Sequence, residues 1–149
     1  MRKSNTSNGG IKVSLTGEVM KYISLFEGFT QASALDCIIE DEDEAIFIVS
    51  PGESGKLRIS SVRKLEQMIK RPVVTVEYSS DPSQFIKNSL LPARVLEVKL
   101  VEHADGRKTA SVTVSAADKG KAIGKGGRVA QRTRSLAKRY FQVDNVHIL

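Results

Sequence analysis

Ile123-Gly124-Lys125-Gly126-Gly127-Arg128 is the stretch on which the reading of this 149-residue chain turns. Before it, Ala116–Ala122 reads as a short helix. After it, Arg128–Phe141 places Val129, Ala130, Thr133, Leu136, Ala137 and Tyr140 along one helical face. Two nucleotide chemistries compete for such a stretch and both fail. A Walker-type phosphate loop needs four residues between its first glycine and Gly-Lys-Ser/Thr. Here three residues separate Gly120 from Gly124, and Gly126 stands where a magnesium-binding hydroxyl is required. A dinucleotide fingerprint fits Gly124 and Gly126 but meets Val129 at its third glycine. No cofactor is expected.

The remaining reading is a G-x-x-G loop, Gly124 to Gly127, joining two helices. Without Cβ atoms a sugar-phosphate backbone can approach closely, and the start of the following helix offers unpaired N–H groups and a partial positive charge. Lys125 and Arg128 add full charges. Such a loop clamps about four nucleotides of a single strand, with the bases turned toward an apolar groove. The candidate RNA-binding residues are therefore Gly124, Lys125, Gly126, Gly127 and Arg128, with Ile123 and Ala130 lining the groove and Lys121 and Arg132 flanking the path. The bland alternative is a turn between helices that merely needs glycine.

Charge favours the clamp. The chain carries 23 basic and 17 acidic residues, net +6, with a pI near 9.5. Residues 1–80 hold 10 basic and 11 acidic side chains, whereas residues 81–149 hold 13 and 6. The excess tightens to Lys119, Lys121, Lys125, Arg128, Arg132, Arg134, Lys138 and Arg139, a run without an acid and an electrostatic footprint for a polyanion.

Working outward, Thr16 caps a helix expected over 16–28, with Val19, Met20, Ile23, Leu25 and Phe26 at helical spacing and Gly28 closing it. Ala34–Glu40 and Ala45–Ser50 read as a hairpin across the acidic turn Asp41–Glu44. Ser60–Lys70 puts Val62, Leu65, Met68 and Ile69 on a helix that Pro72 ends before the strand Val73–Tyr78. Asp81 and Pro82 then start a helix to about Leu90. Ala93–Val101 and Thr109–Ser115 form a hairpin across an Asp-Gly turn, and Val143–Leu149 is the last strand. The order recurs, and so does sequence: IFIVSPGESGK and SVTVSAADKGK end 65 residues apart at Lys56 and Lys121. A duplicated unit is the economical explanation, with Leu90, Leu91 and Pro92 expected as the contact between two marginal halves.

The order helix, strand, strand, helix, G-x-x-G, helix, strand resembles a type II K-homology (KH) domain. Two such units, the junction DPSQFIKNSLLPARV, the segment D-x-G-x-A-I-G-K-G-G-R and the ending LAKRYFQVDNVHI are similar to the short archaeal form of the transcription factor NusA, over residues 12–149. The resemblance implies an α+β fold of two tandem type II KH domains, each a three-stranded mixed sheet with helices packed on one face. The domains expected are a disordered tail over 1–10, a KH-like domain over 11–80 with a degenerate clamp, and a KH domain over 81–149 with the intact GKGG loop. It also implies control of transcription elongation, termination and antitermination through nascent single-stranded RNA, with RNA polymerase as a partner. Between Ser50 and its next helix the first unit is three residues shorter than the second and has no G-x-x-G. Its Gly52, Gly55, Lys56 and Arg58 therefore read as a structural loop.

Other features read blandly. The run Glu40–Glu44 is a solvated turn. One cysteine, Cys37, excludes an intrachain disulfide and reads as core, and His103 and His147 offer neither zinc spacing nor a catalytic constellation. Tyr22, Tyr78 and Tyr140 sit at core spacings. No window approaches the ~20 apolar residues of a membrane helix, and no leader pattern follows Arg2 and Lys3. The expectation is a cytoplasmic, monomeric, non-enzymatic RNA-binding protein without metal. A KH scaffold for ribosomal RNA or protein assembly is the first alternative, and a nucleotide-processing enzyme the second.

Overall fold

The computed structural model describes residues 3–6, 12–39 and 44–149 and divides the chain into two units, Met1–Tyr78 and Ser79–Leu149. In the first unit, β1 (Lys3–Thr6) pairs antiparallel with β2 (Lys12–Leu15). Lys3–Thr6 falls within the segment expected to be a disordered tail; the alternating Lys-Val-Ser-Leu of β2 supplies an edge for it to pair with. The Thr16 hydroxyl accepts the Val19 N–H at 3.1 Å and starts α1 (Gly17–Thr30). Gly28 does not end the helix. It runs one half-turn further and closes on Gln31 in the left-handed region, whose side-chain amide donates to the Gly28 carbonyl at 2.9 Å.

The sheet of this unit has the order β3-β4-β5, with β3 (Ala34–Ile38) antiparallel and β5 (Val73–Glu77) parallel to the central β4 (Ala45–Val49). The parallel crossover is α2 (Ile59–Ile69), which packs with α1. Phe26 of α1 stacks on Phe47 of β4 with ring centroids 4.5 Å apart, and Tyr22, Cys37 and Leu65 complete the core. Every residue of β4 is buried, as its unbroken apolar run Ala-Ile-Phe-Ile-Val requires. Met20 and Met68, placed on the apolar faces by periodicity, are instead more than half exposed. The acidic turn expected at 41–44 lies mostly outside the described residues.

In the second unit the Asp81 carboxylate accepts the Ser83 N–H at 3.1 Å, and Pro82 takes the first position of α3 (Pro82–Leu90). β6 (Val95–Glu102) and β7 (Lys108–Val114) form the predicted hairpin, and β8 (Asn145–Ile148) lies parallel to β7 in the order β6-β7-β8. Between β7 and β8 run a 3-10 turn Ala116–Asp118, α4 (Lys119–Ile123), the glycine loop and α5 (Arg128–Phe141). Helices α3 and α5 pack together over β6 and β8, pinned by the buried Ser89–Thr133 hydroxyl pair at 2.7 Å. Leu90 is fully buried in this unit's own core with Ile86, Val112 and Ala137, and Leu91 is exposed.

The duplication extends to hydrogen bonds. Glu53 and Asp118 each follow a central strand by a short turn and accept the backbone N–H of the residue just before the first strand of the hairpin. Glu53 takes Ser33 N–H at 3.1 Å, and Asp118 takes Arg94 N–H at 2.7 Å. Each also pairs with the lysine three residues on, Lys56 at 3.0 Å and Lys121 at 3.7 Å.

Candidate nucleic-acid interface

Anchored by Asp118, α4 is short because its end is set by glycine: the Gly124 N–H donates to the Gly120 carbonyl at 2.8 Å and the chain then turns at φ 81, ψ 168. That conformation is essentially reserved for glycine. Space imposes the same choice, since a Cβ on Gly124 would lie 2.5 Å from Val129 Cγ2 and 2.8 Å from Val129 N. Lys125–Gly127 makes one 3-10 turn with Gly126 at φ 64 and Gly127 at φ 78, both left-handed and both open around the missing Cβ. Three turns at positive φ within four residues thus aim α5 back across the core.

Gly127 is the N-cap of α5 and has no side chain, so the first turn of this 14-residue helix begins without a side-chain acceptor. The Gly127 N–H donates to the Gly124 carbonyl at 3.0 Å and the Arg128 N–H to the Lys125 carbonyl, and the positive end of the helix dipole makes the position suited to an anion. Lys125 and Arg128 are exposed beside it, and Lys119 and Lys121 lie one helix earlier, also exposed. Ile123 is 37% exposed at the edge of the loop. Arg132, one turn into α5, is half-buried.

One candidate is corrected. Ala130 is buried with Thr133, Leu136 and Ala137 on the inward face of α5, so it supports the loop from below and presents no surface to a ligand. The basic run is also narrower than its sequence suggests. Arg134 Nε donates to the Val146 carbonyl at 3.0 Å, Lys138 Nζ meets Asp144 Oδ1 at 2.6 Å, and the Arg139 guanidinium lies 5.7 Å from the Tyr140 ring centroid. Arg134 and Lys138 tie α5 to β8 and the turn before it, Arg139 lies against the neighbouring ring of its own helix, and the footprint contracts to the end of α5 beside the glycines. Asp118 is the residue the sequence reading passed over; its signal is the i,i+3 spacing to Lys121 and the matching Glu53–Lys56 pair.

In the first unit the corresponding segment is a 3-10 turn, Ser54–Lys56, leading through Leu57 and Arg58 into α2. The Gly52 N–H is taken by the Glu77 carboxylate at 3.0 Å, and Lys56 is held by Glu53. An anion there would have to displace carboxylates. Cys37 is buried, and burial pushes its thiol up to about 12, so it serves packing. His103 Nε2 lies 3.0 Å from the Thr109 hydroxyl, and no group of metal-binding side chains occurs among the described residues. None of their helices is long and apolar enough to cross a membrane.

Two like α+β units, one carrying a glycine-hinged helix pair with a basic, uncapped helix start, define a protein of the KH class. The family described as the NusA-like second KH domain matches residues 82–147. A Halococcus morrhuae protein named probable transcription termination protein NusA is 33% identical over 141 residues, covering 93% of this chain and 99% of that one. A protein of the same name from Halobacterium salinarum is 34% identical over 139 residues, covering 91% and 98%. The solved crystal structure of APE1850 superposes with a TM-score of 0.79 at 34% identity, over 91% of this chain and all of that one. The chain belongs to the NusA-like KH family.

Proposed function

We propose that this protein binds single-stranded RNA at the Gly124–Gly127 loop and acts on nascent transcripts as a NusA-type elongation and termination factor. Both units are type II KH folds in this reading, and the second does the binding. Backbone N–H groups at the start of α5 take phosphate, Lys125 and Arg128 neutralise it, Lys121 and Arg132 follow the strand, and Ile123 meets the bases. The observation that carries the reading is the coincidence, at one helix start, of three glycines at positive φ, an absent cap side chain and the exposed Lys125. The names of the archaeal relatives support the transcriptional role.

Titrating a short unstructured RNA against the whole chain at several salt concentrations tests it. Lys125→Asp combined with Gly126→Asp reverses the charge at the loop while Gly126 has open space around its Cβ position. The expected result is loss of binding with an unchanged circular dichroism spectrum. Lys125→Ala alone should reduce the slope of log K against log salt by about one phosphate contact. Affinity unchanged in the double variant would sink the clamp.

A further inference from the structure

We infer that β6 is a dimerisation edge and that its partner is β6 of a second copy of this chain. β6 is the outer strand of its sheet, eight residues long, and carries the exposed apolar residues Leu96, Leu100 and Val101 at 59, 43 and 46%. A long edge strand is a template for another strand; the bulge at Leu96 and the exposed Glu97 and Lys99 restrict that pairing to a strand that matches their charges.

What selects a second copy is the sequence of the edge, Arg94-Val95-Leu96-Glu97-Val98-Lys99-Leu100-Val101-Glu102. Read in opposite directions from Val98, it complements itself. Glu97 falls opposite Lys99 and Leu96 opposite Leu100, each pair occurring twice about a two-fold axis, while the bulge at Leu96 puts Arg94 and Val95 out of step with the regular strand. Opposite charges and matched apolar side chains are the pairs that stabilise antiparallel neighbours. A two-fold axis perpendicular to the joined sheet keeps each residue on its own face, so a residue must sit on the axis. The neighbouring registers fail: centring on Lys99 sets Lys99 against Lys99, and centring on Leu100 sets Val98 against Glu102.

The local structure agrees with the Val98 register. The sheet bulges between Val95 and Glu97, so Glu97, Val98 and Lys99 form the regular centre. Leu96 is the extra residue, and in the dimer it faces Leu100 of the second copy. Beside Leu100 and Val101 lies a groove of about 270 Å³, walled further by Pro82, Phe141 and Val143, which gives that leucine a seat. Glu97 and Lys99 are exposed, and neither enters an ion pair within the described residues. Pairing joins the two three-stranded sheets into one of six strands. The surface shares no residue with the proposed RNA site, so either reading can fail without the other.

Sedimentation equilibrium of the RNA-free whole chain over a range of concentrations tests this. The wild type is expected to shift with concentration toward twice the chain mass of 16.3 kDa. Lys99→Glu places four glutamates at the centre of the interface and should weaken association by about tenfold or more. The exchange Glu97→Lys with Lys99→Glu recreates both opposite-charge pairs in this register alone and should restore the dimer. A wild type that stays monomeric throughout, a dimer indifferent to Lys99→Glu, or an exchange variant that fails to recover while its circular dichroism matches wild type would each overturn the inference.

Discussion

Gly124 and Gly126 differ in what they tolerate. Gly124 combines a glycine-only backbone with a Cβ position that Val129 already occupies, whereas Gly126 has only a left-handed φ against it. Gly126→Ala should therefore cost about 1 kcal/mol, the usual penalty for a left-handed L-residue. Gly124→Ala should cost about 1–3 kcal/mol for backbone strain, with the clash in addition. Urea unfolding of the two variants checks the order. Charged groups make a second residue-level prediction. The Lys138 ammonium and then the Lys108 N–H hold the Asp144 carboxyl below the ordinary carboxylate range; Lys56 and then the Ser33 N–H do the same for Glu53. A carboxyl depressed in the folded state contributes stability that is present above its unfolded pKa and lost as pH falls through its folded pKa. The urea midpoint is expected to fall below the ordinary carboxylate range, and Asp144→Asn should flatten that fall. Asp144 is exposed and Glu53 partly so, and solvent screening keeps each effect small.

At the scale of the element, α5 carries the fold with one face and the candidate site with its first turn. Leu136, 1% exposed on the inward face, should cost about 2–5 kcal/mol as Leu136→Ala. Asp81→Ala removes the cap of α3 and should cost about 1 kcal/mol. Thermal unfolding followed by circular dichroism checks both, and neither change is expected to alter RNA affinity where the unit stays folded. The bounds of α5 and α3 were legible because glycine, proline and a capping carboxylate act within a few residues. Gly28 misled because glycine permits a helix end without enforcing one; the helix stopped where Gln31 could reach back to the Gly28 carbonyl. Met20 and Met68 misled because helical spacing states which residues share a stripe and leaves open where the stripe's edge meets solvent.

Across the whole molecule, charge separates the two units. The first has carboxylates on both groups that an anion would need, the Gly52 N–H and Lys56. In the second, Lys121 is likewise paired with Asp118, at 3.7 Å, and the difference lies in the three positive-φ glycines and the exposed Lys125 at the start of α5. Replacing Lys56 and Arg58 by alanine is thus expected to leave RNA affinity of the whole chain within about twofold, against the clear loss from Lys125→Ala; an equal loss would place a second binding surface on the first unit.

The sequence by itself determined the order of elements from α1 onward, the duplication, the glycine hinge and the side of the chain that carries excess positive charge. These follow from periodicity, turn chemistry and composition, which act locally along the chain. Tertiary structure decided that, among the eight basic residues in 119–139, Arg134 and Lys138 are tied to Val146 and Asp144. It also decided that Ala130 is core and that Asp118 anchors the hinge through the Arg94 N–H. The Arg134–Val146 and Asp118–Arg94 contacts join groups 12 and 24 residues apart, and local pattern carries no record of such meetings.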